Sequence, residues 1–186
     1  MATSALLVMD VQRSIVERFD RDGDYLPRLR GAIDAARAAG LPVIHVAVGF
    51  RTGHPEVSAR NASFGRIATS GAFAEGDPGA AIHPDVAPRP EDVVVTKRRV
   101  SAFAGSDLDV VLRAGGIHGL VLTGIATSGV VLSTLRQAAD LDFDLTVLAD
   151  ACLDDDPEVH RVLTEKVFPR QARVTTVEEW TTTLAR

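Results

Sequence analysis

The stretch Leu120-Val121-Leu122-Thr123-Gly124-Ile125-Ala126-Thr127-Ser128-Gly129-Val130-Val131 constrains the fold more than any other part of the chain. It begins as an apolar, β-branched run, meets a glycine and becomes a turn of small residues. A helical pattern follows through Leu132, Leu135, Ala138 and Ala139. This reads as a buried parallel strand whose carboxyl end feeds straight into a helix. In open α/β sheets that is where ligands bind. A nucleophile is wanted at such a turn, yet its centre is Gly129, which has no side chain.

The rest of the chain supplies partners for that strand. Ala5 to Met9, Val43 to Val48, Val93 to Thr96, Leu145 to Ala149 and Ala172 to Thr176 read as further strands. Between them, Tyr25 to Ala39 (Leu26, Leu29, Ile33 and Ala36 on one face), Asp107 to Ala114 and Glu158 to Val167 have helical spacing. Arg13 to Asp24 is charged and reads as loop or short helix. Thr176 with Glu179 resembles a capping box opening a last helix that carries Trp180. The alternation predicts an α/β fold, a six-stranded parallel sheet with helices on both faces in a Rossmann-like three-layer sandwich. The Gly- and Pro-rich segment Phe50 to Pro90 resists regular structure and reads as a functional insertion, a lid or an interface.

Composition narrows the function classes. A length of 186 residues with 46% hydrophobic content suits one domain over residues 1–186. A net charge of −5 gives no general drive toward nucleic acid or an anionic membrane. No apolar run approaches the ~20 residues that span a bilayer. The start, through Asp10, lacks a basic region and reads as a strand, not a signal peptide. The single cysteine, Cys152, excludes an internal disulfide and suits a reducing cytoplasm.

Strand-end residues then gather along one edge: Asp10, the residues after Val48, Lys97, the Gly124–Gly129 turn and Asp150. Asp10 with Lys97 is either a salt bridge locking two strands or a proton-handling pair. Small residues at Ala126, Thr127, Ser128 and Gly129 let a ligand approach the backbone, and the helix start aims N–H groups at the crevice. An acid, an ammonium and N–H donors can move protons and hold an oxyanion.

Four blocks in order now resemble the isochorismatase-like, or cysteine hydrolase, superfamily across nearly the whole chain. They are Leu6-Leu7-Val8-Met9-Asp10-Val11-Gln12, Val94-Val95-Thr96-Lys97-Arg98-Arg99-Val100-Ser101-Ala102-Phe103, Gly124 to Val131, and Asp150-Ala151-Cys152 with Asp156-Pro157-Glu158-Val159-His160. The resemblance implies a catalytic Asp–Lys–Cys set in which the Cys attacks an amide-type carbon. Asp10 and Lys97 match it; the Cys position aligns with Gly129. It also implies a cis peptide at Ile125–Ala126. The backbone of Ile125, Ala126, Ser128 and Gly129 would hold an oxyanion. Some isochorismate-hydrolysing members also have glycine at the Cys position. In them the Asp protonates a vinyl-ether carbon and water captures the oxocarbenium ion. Their Tyr-Ala-His turn is Ala126-Thr127-Ser128 here, so the substrate does not transfer.

Other residues divide between functional and structural readings. Cys152 reads as a small buried thiol. Ser128 adjoins Gly129, but a one-residue shift redirects its side chain, and Thr127 or Ser128 reads as a helix cap. Phe19, Phe50, Phe64 and Phe103 flank the crevice as walls of an apolar pocket, with Arg51 or an arginine of Lys97-Arg98-Arg99 available to an anionic substrate. Nicotinamidase-type members of the superfamily hold a metal through an Asp-x-His after the second strand; none is present here, so the resemblance implies no metal at His54 or His83 and no cofactor. His118 and His160 read as surface residues. The expectation is a cytoplasmic hydrolase acting on a small, carboxylated molecule without cysteine catalysis, assembled as a homodimer or larger homo-oligomer. The alternative is a catalytically silent homologue that binds a small ligand or serves as an oligomeric partner.

Overall fold

The structure, a computed structural model, describes residues 3–184. Met1 and Ala2, part of the stretch read as a strand and not a signal peptide, lie outside the described residues. Six parallel strands form one sheet in the order β3-β2-β1-β4-β5-β6. They are β1 (Thr3–Met9), β2 (Val43–Val48), β3 (Val93–Lys97), β4 (Ile117–Ile125), β5 (Asp144–Leu153) and β6 (Arg173–Thr175). The expected α/β class and the parallel sheet are both observed. β1 is central, with Met9 opposite Val46 of β2 and Gly124 of β4. Its continuous apolar run follows from this, since both of its faces are covered.

Alternating side chains feed two cores. One face of the sheet packs against α1 (Arg13–Phe19), α2 (Tyr25–Ala38) and α7 (Val177–Leu184), burying Leu6, Val8, Leu29, Ile33 and Trp180. The other packs against α4 (Leu108–Ala114), α5 (Leu132–Asp140) and the turns after α6 (Pro157–Val162), burying Leu7, Met9, Leu108, Leu135 and Phe168. The predicted capping box is present: Glu179 N–H donates to Thr176 Oγ1 at 3.2 Å, and Thr176 N–H to Glu179 Oε2 at 3.4 Å.

Two elements differ from the sequence reading. The 50–90 insertion contains a helix, α3 (Ala62–Ser70). Asn61 Oδ1 accepts the Phe64 N–H at 3.0 Å, and Gly71 ends the helix at φ 73°. Phe64 and Ile67 pack it against Val48 and Phe50. β5 runs past Asp150 to Leu153, with a bulge. Leu122 lies opposite Val147 but Gly124 lies opposite Cys152, so residues 148–151 face the single Thr123. The bulge turns Asp150 away from the strand-end edge. Its Oδ1 accepts the Val177 N–H at 2.8 Å, and its carbonyl accepts Arg28 Nε at 3.0 Å. Among the described residues no helix is long and apolar enough to cross a membrane.

Candidate active site

A cleft of about 440 Å³ opens at the carboxyl ends of β1, β3 and β4. Asp10, Lys97, Ile125, Ala126, Gly129 and Phe19 all line it, so residues from widely separated parts of the chain meet there.

Asp10 follows β1 with φ 57°, a left-handed conformation that Asp tolerates better than most residues. Its N–H donates to Val46 O at 2.8 Å, which fixes the bend. Lys97 ends β3 opposite Val48 of β2. The ammonium therefore reaches Asp10 across the end of β2: Nζ lies 2.9 Å from Asp10 Oδ2 and donates to Arg99 O at 2.9 Å. Both side chains are nearly covered, at 2% and 9% exposure. Asp10 Oδ1 is also buried but has no hydrogen-bond partner. Buried polar atoms are rarely left so, and each one calls for an explanation, of which a catalytic role is one. Burial pushes the Asp10 carboxyl above its ordinary range, against the pull of the Lys97 ammonium.

Gln12 locks this corner. Its buried amide donates to Val48 O (2.9 Å) and Ala80 O (2.6 Å) and accepts the Val48 N–H (2.9 Å). One side chain thus ties the segment after β1 to the end of β2 and to the insertion. Its place in the first sequence block was the available signal, but its partners lie 36 and 68 residues away.

The turn after β4 is possible because of Gly124. At φ 143°, a Cβ there would lie 2.3 Å from Met9 O, so only glycine lets β4 pass β1 at this point. The Ile125–Ala126 peptide is cis, as the resemblance implied. At Gly129 a Cβ would meet nothing within 4 Å but Ala126 Cβ, at 3.8 Å. Val130 is buried and lines the cleft beside it. The turn residues that face the cleft (Ile125, Ala126, Gly129 and Val130) thus carry no nucleophile, and the gap assigned to Gly129 is a wall two residues wide. Cys152 is buried in the sheet core, where burial pushes its thiol up to about 12.

Several expected site residues lie elsewhere. Ser128 does not line the cleft; its N–H is held by Asp154 Oδ2 at 2.7 Å. The Gly129 N–H donates to Ala126 O at 3.1 Å, and Ile125 belongs to the β4–β5 ladder. Of the four proposed oxyanion amides, Ala126 N–H is the one without a partner among the described residues. Neither Thr127 nor Ser128 caps the helix. Thr127 Oγ1 instead pairs with His160 Nδ1 at 2.8 Å, so His160 is not a surface residue but half-buried behind the turn. Phe50 is 1% exposed and packs edge-on against Phe64, which takes the wall position. Phe103 packs on Phe143 in the opposite core. Arg51 is exposed and paired with Glu56 at 2.7 Å. Arg98 and Arg99 are committed to backbone carbonyls of Gly49 and Glu56.

Among the cleft residues that the sequence reading passed over, two are polar, Ser14 and Arg18 of α1. Ser14, Ile15, Arg18 and Phe19 recur at helical spacing on one face, a signal hidden in the charged stretch 13–24. A larger, more open groove of about 780 Å³ runs along α3. Its polar side chains serve local backbone: His54 Nε2 meets Ala72 O at 2.8 Å, and Thr69 donates to Gly65 O at 2.9 Å. No cluster of His, Cys, Asp and Glu suited to a metal occurs among the described residues.

Comparison with known proteins places this geometry. The profile of the Isochorismatase domain matches residues 4–179. A ureidoacrylate amidohydrolase RutB of Stutzerimonas stutzeri is 36% identical, covering 83% of this chain and 71% of its own. An uncharacterized isochorismatase family protein, YwoC of Bacillus subtilis, is 32% identical over 95% of this chain and 92% of its own. Among solved structures, an isochorismatase family protein of Burkholderia thailandensis superposes with a TM-score of 0.86 at 31% identity, covering 99% and 96% of the two chains. N-carbamoylsarcosine amidase of Thermoplasma acidophilum gives 0.78 at 27%, covering 95% and 97%.

Proposed function

Because the chain belongs to the isochorismatase family of hydrolases, we propose that it hydrolyses a small carboxylated substrate by acid–base chemistry at Asp10, without a covalent enzyme intermediate. The observation that carries this reading is the asymmetry of the Asp10 carboxyl. Oδ2 is held by Lys97, while Oδ1 is buried and unpartnered, on a residue that lines the cleft. Oδ1 is the atom free to exchange a proton with a substrate. Burial raises the carboxyl's proton affinity, which favours the acid form that such a step needs.

A vinyl ether is the substrate type that fits. Asp10 delivers its proton to the terminal vinyl carbon. Water captures the oxocarbenium ion and returns a proton to the Asp10 carboxylate, and the hemiketal parts into a ketone and an alcohol. Lys97 keeps the carboxyl oriented through both transfers. The Ala126 N–H, unpartnered among the described residues and on a residue that lines the cleft, would serve as a donor for substrate oxygen. Two of the relatives are named for amide hydrolysis. A thiol route to that chemistry is missing here, because no cysteine lines the cleft. The same fact supports the second reading, a silent homologue that only binds a small ligand.

The test compares the parent with Asp10→Asn, Gly129→Cys and Val130→Cys on enolpyruvyl-type ethers and small amides. Asn retains the left-handed bend and the contact with Lys97. Turnover is expected to fall about 10²–10⁴-fold in Asp10→Asn. Unchanged ether hydrolysis in that variant overturns the acid assignment. Amidase activity in either cysteine variant, with none of any kind in the parent, establishes the silent homologue instead.

A further inference from the structure

The cleft sorts its lining by chemistry. Asp10 and Lys97 are paired at the floor. The walls are apolar, with Ile15, Phe19, Phe64, Ile67 and Phe73 prominent. Besides Lys97, the lining includes a single cation among the described residues, Arg18.

We propose that Arg18 determines specificity, selecting a substrate with one carboxylate on an apolar body. The guanidinium binds the carboxylate while the reacting group reaches Asp10 Oδ1. The assignment rests on the reading of Asp10 given above. Four observations support it. The Arg18 side chain is 70% exposed, and its one ion-pair contact is a long one, 3.8 Å to Asp155. Asp155 has a nearer partner in Arg21 at 3.2 Å, so Arg18 can turn to a ligand without leaving that carboxylate unpaired. The guanidinium sits 5.2 Å from the centre of the Phe19 ring, itself a cleft wall, so its attachment to the cleft is already partly ordered. The other arginines of interest, Arg51, Arg98 and Arg99, are engaged with Glu56 or with backbone carbonyls and line no part of the cleft.

The same inventory limits the ligand's charge. Lys97 Nζ is already held by Asp10 Oδ2 and Arg99 O. A second carboxylate would therefore meet chiefly apolar walls, where an unpaired charge is disfavoured. The cleft favours a monoanion over a dicarboxylate.

Binding of three probes to the full chain by titration calorimetry tests this. The probes are 3-phenylpropionate, its neutral primary amide and the dianion phenylsuccinate. The monoacid is expected to bind at least about tenfold tighter than either of the others, the worth of one charge-assisted contact. In Arg18→Gln its affinity should fall by that factor while the amide's holds. Equal affinity of acid and amide, a tighter dianion, no binding of any probe, or an equal loss for acid and amide in Arg18→Gln overturns the assignment. Asp10→Asn separates the two readings. Loss of turnover with the acid preference intact is expected. Normal turnover with that preference intact removes the Asp10 role and leaves Arg18 standing.

Discussion

The edge of the sheet buries two charged clusters, one at each end of β3, and they are built for opposite purposes. At the carboxyl end, Asp10 meets Lys97 through one oxygen and leaves the other without a partner. At the amino end, the Asp92 side chain is 4% exposed and bound on several sides. It accepts the Arg89 N–H at 2.8 Å and a close contact from Arg37, with His45 Nε2 3.6 Å away. Burial works to raise both carboxyls. At Asp92 it loses to the Arg89 N–H and the Arg37 guanidinium, and the group is held below its ordinary range. At Asp10, which is enclosed more deeply, burial prevails over the Lys97 ammonium. The balance between burial and the donors facing the carboxyl thus favours an anion in one place and a proton carrier in the other.

Breaking the Asp92 cluster should have the largest effect on folding. Asp92→Ala leaves Arg37 with only the long Asp34 contact, at 4.0 Å, and should cost about 3 kcal/mol in urea titration. Turnover per folded molecule should hold; a parallel loss of turnover with full stability would erase the distinction between the clusters.

Lys97→Met attacks the other side. Turnover should fall on the order of 10²-fold, as for loss of one charged donor from a site. Without the ammonium the Asp10 carboxyl should rise further, moving the alkaline limb of the pH–rate profile to higher pH. A limb that moves down, or stays put, would place the controlling proton elsewhere.

The smallest effect is in the pH dependence of stability, where the two acids have opposite signs. The Asp92 contribution is complete above the ordinary carboxyl value of 3.8 and is lost as pH falls through its lowered value. The Asp10 contribution is complete below 3.8 and is lost as pH rises through its raised value. Melting temperatures taken from acid to neutral pH should show Asp92→Asn removing an upward slope and Asp10→Asn removing a downward one. Slopes of the same sign would show that the two carboxyls share one environment.

The sheet was legible because five apolar runs each end at a charge or a glycine, and parallel strands covered on both faces need such runs. The Asp10–Lys97 meeting followed from both residues standing at carboxyl ends of strands in one parallel sheet. Arg18 and Ile67 were harder to read. α3 is short and carries a glycine at position 65, so the Phe64–Ile67 spacing is a faint signal among many turn residues. Phe50 and Phe103 carry the same side chain as Phe19 and face elsewhere, because loop direction is set by long-range packing. His160 behaves similarly, since its partner Thr127 is 33 residues away. Asp150 left the strand-end edge because of a bulge that no local pattern encodes.

The central place of β1 also sets when the acid can exist. Residues 3–9 pair on one side with β2 and on the other with residues 117–124. No segment shorter than the first two-thirds of the chain can flank β1 on both edges. During synthesis the strand leading to Asp10 is made first and enclosed late, after β4 has emerged. Until then Asp10 is an ordinary solvated carboxylate at the tip of an exposed apolar strand, and its chemistry belongs to the finished sheet.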